Sequence, residues 1–265
     1  MPTPILSRKA PETTSLAELR QHWRKSLTGP QDGMWEIFRD TAEHWAFTAD
    51  NQVIGYACAN EEHGLMQFYL SPKWQHNRVG TLKNFLQREG ITKGIVGTNN
   101  PVFLSAALEL LQSVEVDTYL FTDQHQTVGE EKAGDFLAAK EEDLDRLIDF
   151  YRLSIGAPEP WLRGYLGSHI ERGEIFFLKQ QDIIIGACEV RKSDSNNSIA
   201  DLGMVISPNF RRQGYGTFLL GKAKGVAHEW ARASICSCEK ANLGSTRSIR
   251  KNGFRSRHQL LRVTF

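Results

Sequence analysis

The sequence predicts a mixed α/β protein made of two similar domains, each a twisted, mostly antiparallel sheet with flanking helices. Three observations carry that prediction. Three short motifs occur twice in the same order. The pattern of helices, hairpins, helix, strand, helix and strand fits both halves. The length, 265 residues, suits two domains of roughly 100–200 residues each.

Residues 47–58, FTADNQVIGYAC, align with 178–188, LKQQDIIIGAC; each is an apolar run, a polar turn and an apolar run carrying Ile-Gly. Gly55 falls on Gly186. Further along, 68–74 (FYLSPKW) aligns with 204–210 (MVISPNF), which sets Ser71-Pro72 on Ser207-Pro208. Gly80-Thr81 then falls on Gly216-Thr217, and Asn100 on Asn242. The offset drifts between the first and second match because 191–197 (RKSDSNN) reads as a longer hairpin loop, and loops absorb insertions at small entropic cost. Residues 123–134 are polar and glycine-containing between apolar runs. The expected division is therefore a domain over 1–123, a linker over 124–134 and a domain over 135–265.

Each element follows from local pattern. In the first copy helices are expected over 16–27 and 32–42, then strands near 45–49, 52–59 and 65–70. In the second they are expected over 142–153 and 159–171, with Pro160 near a helix start. Strands follow near 174–180, 183–190 and 199–206. Asp50-Asn51 and Gln181-Asp182 read as hairpin tips. Leu219, Ala223, Val226, Ala227 and Trp230 recur at helical spacing and define one apolar stripe. A strand over 233–238, a helix near 245–251 and a terminal strand over 257–265 complete the copy.

Composition narrows the function. Hydrophobic residues are 40% and charged residues 24%, as in ordinary globular proteins. No stretch approaches 18 apolar residues, so no membrane span is expected, and the first residues show no apolar core of a signal peptide. Four cysteines make no disulfide framework. Cys58 and Cys188 read as buried thiols, and Cys236 with Cys238 lacks a second pair at zinc-ligand spacing. The expected compartment is the cytoplasm, and no metal is expected. A net charge of +1 argues against nucleic-acid binding. Residues 1–128 hold 11 Lys and Arg against 14 Asp and Glu, whereas 129–265 hold 21 against 17, so an anionic ligand is expected in the second half.

The stretch VISPNFRRQGYGTFLL, 205–220, contains the most informative corner. A strand ends at Pro208, a basic turn follows, and an amphipathic helix starts near Gly214. Gly214 and Gly216 let backbone approach a ligand without a Cβ. The helix start offers unpaired N–H groups and the positive dipole end, which suit a pyrophosphate. Arg211 and Arg212 can add charge-assisted bonds. The corner is neither a dinucleotide fingerprint nor a P-loop, because the further glycine and the G-K-[ST] are missing.

Arg211-Arg212-Gln213-Gly214-Tyr215-Gly216 resembles the [RQ]-x-x-G-x-[GA] acyl-CoA loop of the GNAT N-acetyltransferase superfamily. Downstream, NLGS (242–245) and IRKNGF (249–254) resemble that family's N-x-x-[SA]…[YI]-x-K-x-G-F motif. The resemblance covers the second half closely and the first in outline. It implies acetyl-CoA as co-substrate, with the pantetheine arm bonded to backbone near Met204, Val205 and Ile206 in a gap where two strands splay. It implies that the pyrophosphate rests on 211–217, including Gln213, Tyr215 and Thr217, and that Asn242 and Ser245 meet the arm. A neutral primary amine, on a small molecule or a peptide, would attack the thioester directly. A backbone N–H near Val205 or Ile206 would stabilise the oxyanion.

The catalytic groups are less defined. Asp201 or Glu189 could deprotonate the ammonium, or cap a hairpin and face solvent respectively. The family's thiolate-protonating tyrosine falls on Ile249, which leaves Ser248, Tyr215, water or no acid at all. A non-catalytic acyl-CoA-binding or sensing module is the alternative. Trp161, Tyr165 and His169 share one helix face and read as a packing stripe, although the family closes its acceptor pocket with that region; His228 reads as surface or packing. In the first copy Arg78 stands where the second has Gly214, so that copy is expected to bind no acyl-CoA. A monomer or homodimer is expected.

Overall fold

The computed structural model describes residues 5–9, 14–40, 42–124, 131–194 and 196–265. They form two units, Met1–Leu120 with Arg257–Phe265, and Phe121–Ser256. The second unit was expected to keep the last nine residues; their strand pattern is legible, but the strand they pair with is not encoded locally. Residues 125–130 of the expected 124–134 linker lie outside the described residues.

The first unit runs β1 (Leu6–Lys9), α1 (Thr14–Ser26), α2 (Gly33–Asp40), β2 (Glu43–Ala49), β3 (Gln52–Asn60), β4 (Gly64–Leu70), α3 (Arg78–Glu89), β5 (Lys93–Gly97), α4 (Pro101–Leu108) and β6 (Ser113–Asp123, of which the last three residues count with the second unit). The second runs β7 (Asp135–Ala138), α5 (Leu144–Ile155), α6 (Glu159–Glu171), β8 (Ile175–Gln180), β9 (Ile183–Lys192), β10 (Ile199–Ile206), α7 (Tyr215–Glu229), β11 (Ala233–Glu239) and α8 (Leu243–Lys251). The last strand, β12 (Phe254–Thr264), pairs antiparallel with β5, Leu260 opposite Gly97. The short edge strands β1 and β7 were not expected, because their residues are mostly exposed and carry no apolar alternation.

The β2–β3 hairpin forms because Asp50 and Asn51 both accept positive φ, 51° and 58°, as a two-residue turn between twisted strands requires. The first core gathers Trp45, Phe47, Phe68, Phe85 and Phe103 beneath α3 and α4, with edge-on contacts such as Phe47 to Phe85. The second gathers Leu147, Ile148, Tyr151, Leu162, Leu166, Ile175 and Phe177 between α5, α6 and the sheet.

The two units share register as well as order. Gly55 lies opposite Leu70 and Gly186 opposite Ile206. A Cβ on Gly55 would stand 2.2 Å from Tyr69 O, and one on Gly186 would stand 2.7 Å from Ile206 Cδ1. Register slips at Phe47/Thr48 in one unit and Leu178/Lys179 in the other, the same place relative to these glycines. After the strand, Ser71 N–H donates to Ile54 O at 2.8 Å and Ser207 N–H to Ile185 O at 2.9 Å. Asn100 and Asn242 cap α4 and α8 alike, accepting from Phe103 N and Ser245 N. The duplicated motifs are thus the close strand crossings, turns and caps of one fold used twice.

Candidate functional site: a splayed strand pair above a glycine loop

In the second unit β10 and β11 run parallel but pair only over Ile199, Ala200 and Asp201, opposite Ala233, Ser234 and Ile235. Both strands continue, to Ile206 and to Glu239. Along 202–206 β10 therefore has its ladder with β9 and no register partner on β11. Ser207 N–H turns toward Ile185 O, so alternation turns the backbone groups of Val205 toward β9 and those of Met204 and Ile206 toward the gap. Of the two residues expected to offer an oxyanion donor, Ile206 is the one whose amide faces the opening.

The first turn of α7 lies at this opening. A Cβ on Gly216 would meet Ser248 Oγ at 3.2 Å, Met204 Sδ at 3.6 Å and Ile206 at 3.7 Å. Thr217 Oγ1 lies 3.4 Å from Ser248 Oγ. The chain enters through Arg212 (φ 63°) and Gly214 (φ 88°), a path that a continuing helix cannot take. Among the described residues no backbone acceptor meets the amides of 212–217. A row of open N–H groups at the positive end of a fifteen-residue helix is an anion site by geometry and field.

The loop's side chains are placed less simply. Arg211 turns back: Nε donates to Ile206 O at 3.1 Å and Nη2 to Ser154 O at 2.6 Å. Gln75, its counterpart in the first unit, likewise donates to the strand-end carbonyl of Leu70 at 3.3 Å. This motif position pins the turn to the strand in both units. Gln213 donates to Asn209 O, and the Tyr215 hydroxyl accepts from Gln180 Nε2 at 3.1 Å. Asn242 and Ser245 meet as helix cap and capped amide. Ile249 is buried, 2% exposed, so the motif's tyrosine position belongs to the core and a larger ring there would overpack it by about 1–3 kcal/mol. Ser248, one residue earlier, faces Gly216.

On the opposite face of the sheet the two candidate bases prove to be one network. Arg191 Nη1 pairs with Glu189, and Nη2 with Asp201 Oδ2 at 3.0 Å. Glu189 also accepts from Tyr151 OH at 3.0 Å and from Tyr165 OH at 2.7 Å. All lie within hydrogen-bond reach because Glu189 is opposite Gly203 and Arg191 opposite Asp201. A Cβ on Gly203 would come within 2.9 Å of Glu189 Oε2, so glycine there makes room for the carboxylate. Burial, then the neighbouring Glu189 charge, raises both tyrosine hydroxyls well above their ordinary pKa, keeping them protonated donors. Burial opposes the charge of Arg191, and the charges around it outweigh that, Asp201 foremost. Glu189 is thus a buried, triply hydrogen-bonded carboxylate rather than a solvated strand residue.

Tyr151 and Arg191 were missed in the sequence, Arg191 because it was assigned to a loop that is in fact the end of β9. The i, i+2 pairing of Glu189 with Arg191 on one strand face was the available signal. The Trp161, Tyr165 and His169 stripe divides. Trp161 stacks on Tyr165 with centroids 4.6 Å apart and stays 40% exposed. His169 Nδ1 lies 2.7 Å from Glu174, a fully buried carboxylate that also accepts from Arg172 and from Lys192 N. His228 is exposed. All four cysteines are buried free thiols.

The first unit repeats the splay, with β4 and β5 paired only at Leu65 opposite Gly94, but not the loop. Between Ser71 and α3 the chain is a 3-10 helix through Asn77 that passes directly into Arg78 (φ −55°). The difference from the second unit lies in the backbone rather than in an obstructing side chain, since Arg78 Nε donates to Ser105 Oγ at 2.8 Å. Cys58 opposite Gln67 replaces Glu189 opposite Gly203.

No helix among the described residues is long and apolar enough to cross a membrane. Residues 12–124 match a family model described as an acetyltransferase (GNAT) domain, and residues 140–254 one described as the acetyltransferase (GNAT) family. An acetyltransferase from the GNAT family of Colwellia psychrerythraea superposes with a TM-score of 0.93 at 26% identity, over 98% of this chain and 99% of that one. A GCN5-related N-acetyltransferase from Sphaerobacter thermophilus gives 0.70 at 15% identity, over 98% and 95%. A tandem GNAT protein from the clavulanic acid biosynthesis pathway gives 0.65 at 13% identity, over 99% and 98%. No curated protein matches the chain. With a GNAT model on each half and a full-length GNAT fold match, the chain belongs to the GNAT acetyltransferases and carries two such domains in tandem.

Proposed function

We propose that the second domain is an acetyl-CoA-dependent N-acetyltransferase acting on a primary amine, and that the first domain has lost acyl-CoA binding. The observation that carries this is the gap between β10 and β11, which opens beside the open amides of 212–217. The donor set fits the group: N–H groups for a pyrophosphate, and the strand-edge N–H and C=O of Met204 with the N–H of Ile206 for an extended amide-bearing arm. Acetyl-CoA, when bound, supplies an activated acyl carbon. The Ile206 N–H would stabilise negative charge at the acyl oxygen as it develops.

Glu189 and Asp201 with Arg191 leave one net negative charge in a buried cluster. That charge favours an approaching ammonium and offers an acceptor for its proton. Ser248 is the hydroxyl placed at the mouth of the gap, against Gly216 and Thr217. The acceptor is a small-molecule or peptide amine. The rival reading, an acyl-CoA sensor without transfer, draws on the buried Ile249. Free-thiol release from acetyl-CoA, followed against a panel of primary amines, decides between them. Amine-dependent release supports transfer, and tight binding with no release for any amine supports the sensor.

A further inference from the structure

The loop's leading arginine is spent on the carbonyls of Ile206 and Ser154, and a different cation lies against the glycine turn. A Cβ built on Gly214 would stand 3.1 Å from Lys132 Cε and 3.4 Å from Lys132 Nζ. Gly214 is the left-handed residue at which α7 begins, so this ammonium sits beside the open amides. Lys132 is half-buried and belongs to the segment that leads into β7, outside the motif.

That segment is held in place at two points and turns tightly at a third. Glu131 pairs with Lys222 of α7 at 3.4 Å. Ala133 O accepts from Gln180 Nε2 at 2.9 Å, and the same nitrogen donates to Tyr215 OH, so one side chain ties the strap to the first residue of α7. Gly134 turns at φ 130°, where a Cβ would come within 2.7 Å of Lys179 O. The strap is thus built to deliver a side chain to this loop.

We propose that Lys132 is a phosphate-neutralising residue of the acyl-CoA site, supplied by the strap at 131–134 in place of Arg211. The inference rests on the acetyl-CoA reading above. An ammonium is a compact point charge on a flexible stem, which suits the phosphates of a ligand arriving from solvent, whereas Arg211 serves the backbone of the turn.

The test is calorimetric titration of the full chain and its Lys132→Met and Lys132→Arg variants. Two ligands are used: acetyl-CoA, and S-acetylpantetheine, which shares the thioester arm and lacks phosphate. Lys132→Met should weaken acetyl-CoA about tenfold or more, the scale of a lost bond to a charged group. Lys132→Arg should stay within about threefold, and S-acetylpantetheine should bind both variants as it binds the parent. Unchanged acetyl-CoA affinity in a folded Lys132→Met protein overturns this inference alone. Equal weakening of both ligands also overturns it, since the effect would then be structural. Absence of acetyl-CoA binding by the parent overturns the acyl-CoA reading and this inference with it.

Discussion

Replacing Gly214 by aspartate is expected to weaken acetyl-CoA binding by about a hundredfold or more while leaving the chain folded. Gly214 takes φ 88° at the start of α7, and the substituent would project beside the amides proposed to hold the phosphates. Two like charges about 4 Å apart repel by about 4 kcal/mol at a near-surface dielectric, and the carboxylate would also draw off the Lys132 ammonium, whose Nζ lies 3.4 Å from that Cβ. Gly214→Ala is the control. Its methyl meets only the flexible end of Lys132, and left-handed strain costs roughly 1–2 kcal/mol of stability without adding charge. Calorimetry with denaturant unfolding on both variants checks the pair; parental affinity in a folded Gly214→Asp protein contradicts the loop assignment.

Arg191→Met should be the most destabilising change in the carboxylate network, by about 3–5 kcal/mol, because it leaves Glu189 and Asp201 buried without their shared cation. Both carboxylates are nearly inaccessible, 6% and 4% exposed, so water cannot replace the guanidinium. Urea unfolding measures the loss, and a change below about 1 kcal/mol would show that the pair relaxes to solvent.

The sequence made the strands, the hairpin tips and the loop legible because each rests on local chemistry. Ile-Gly marks a close strand crossing, Ser-Pro a strand end, and Gly214 a left-handed turn. The regions that were not legible depend on partners distant in sequence. The face shared by Glu189, Arg191 and Asp201 appears only when β9 and β10 are laid in register. The donation of Arg211 to Ser154 spans 57 residues. Residues 257–265 read as a strand, yet that they pair with Lys93–Gly97 is a choice of partner that hydrophobic alternation does not encode. The first unit's loop was expected to differ from the second at Arg78; the structure shows instead an unbroken helical path from Pro72 to Glu89. A residue-by-residue alignment shows a substituted glycine; it does not show a turn that has closed up.

Of two domains of the same fold, one has the open amide turn and the other has helix in its place. Calorimetric titration of the intact chain with acetyl-CoA tests this difference most directly. A single saturable site per chain, lost in Gly214→Asp, is the predicted result; two equivalents bound per chain, or one equivalent that survives Gly214→Asp in a folded protein, would contradict it.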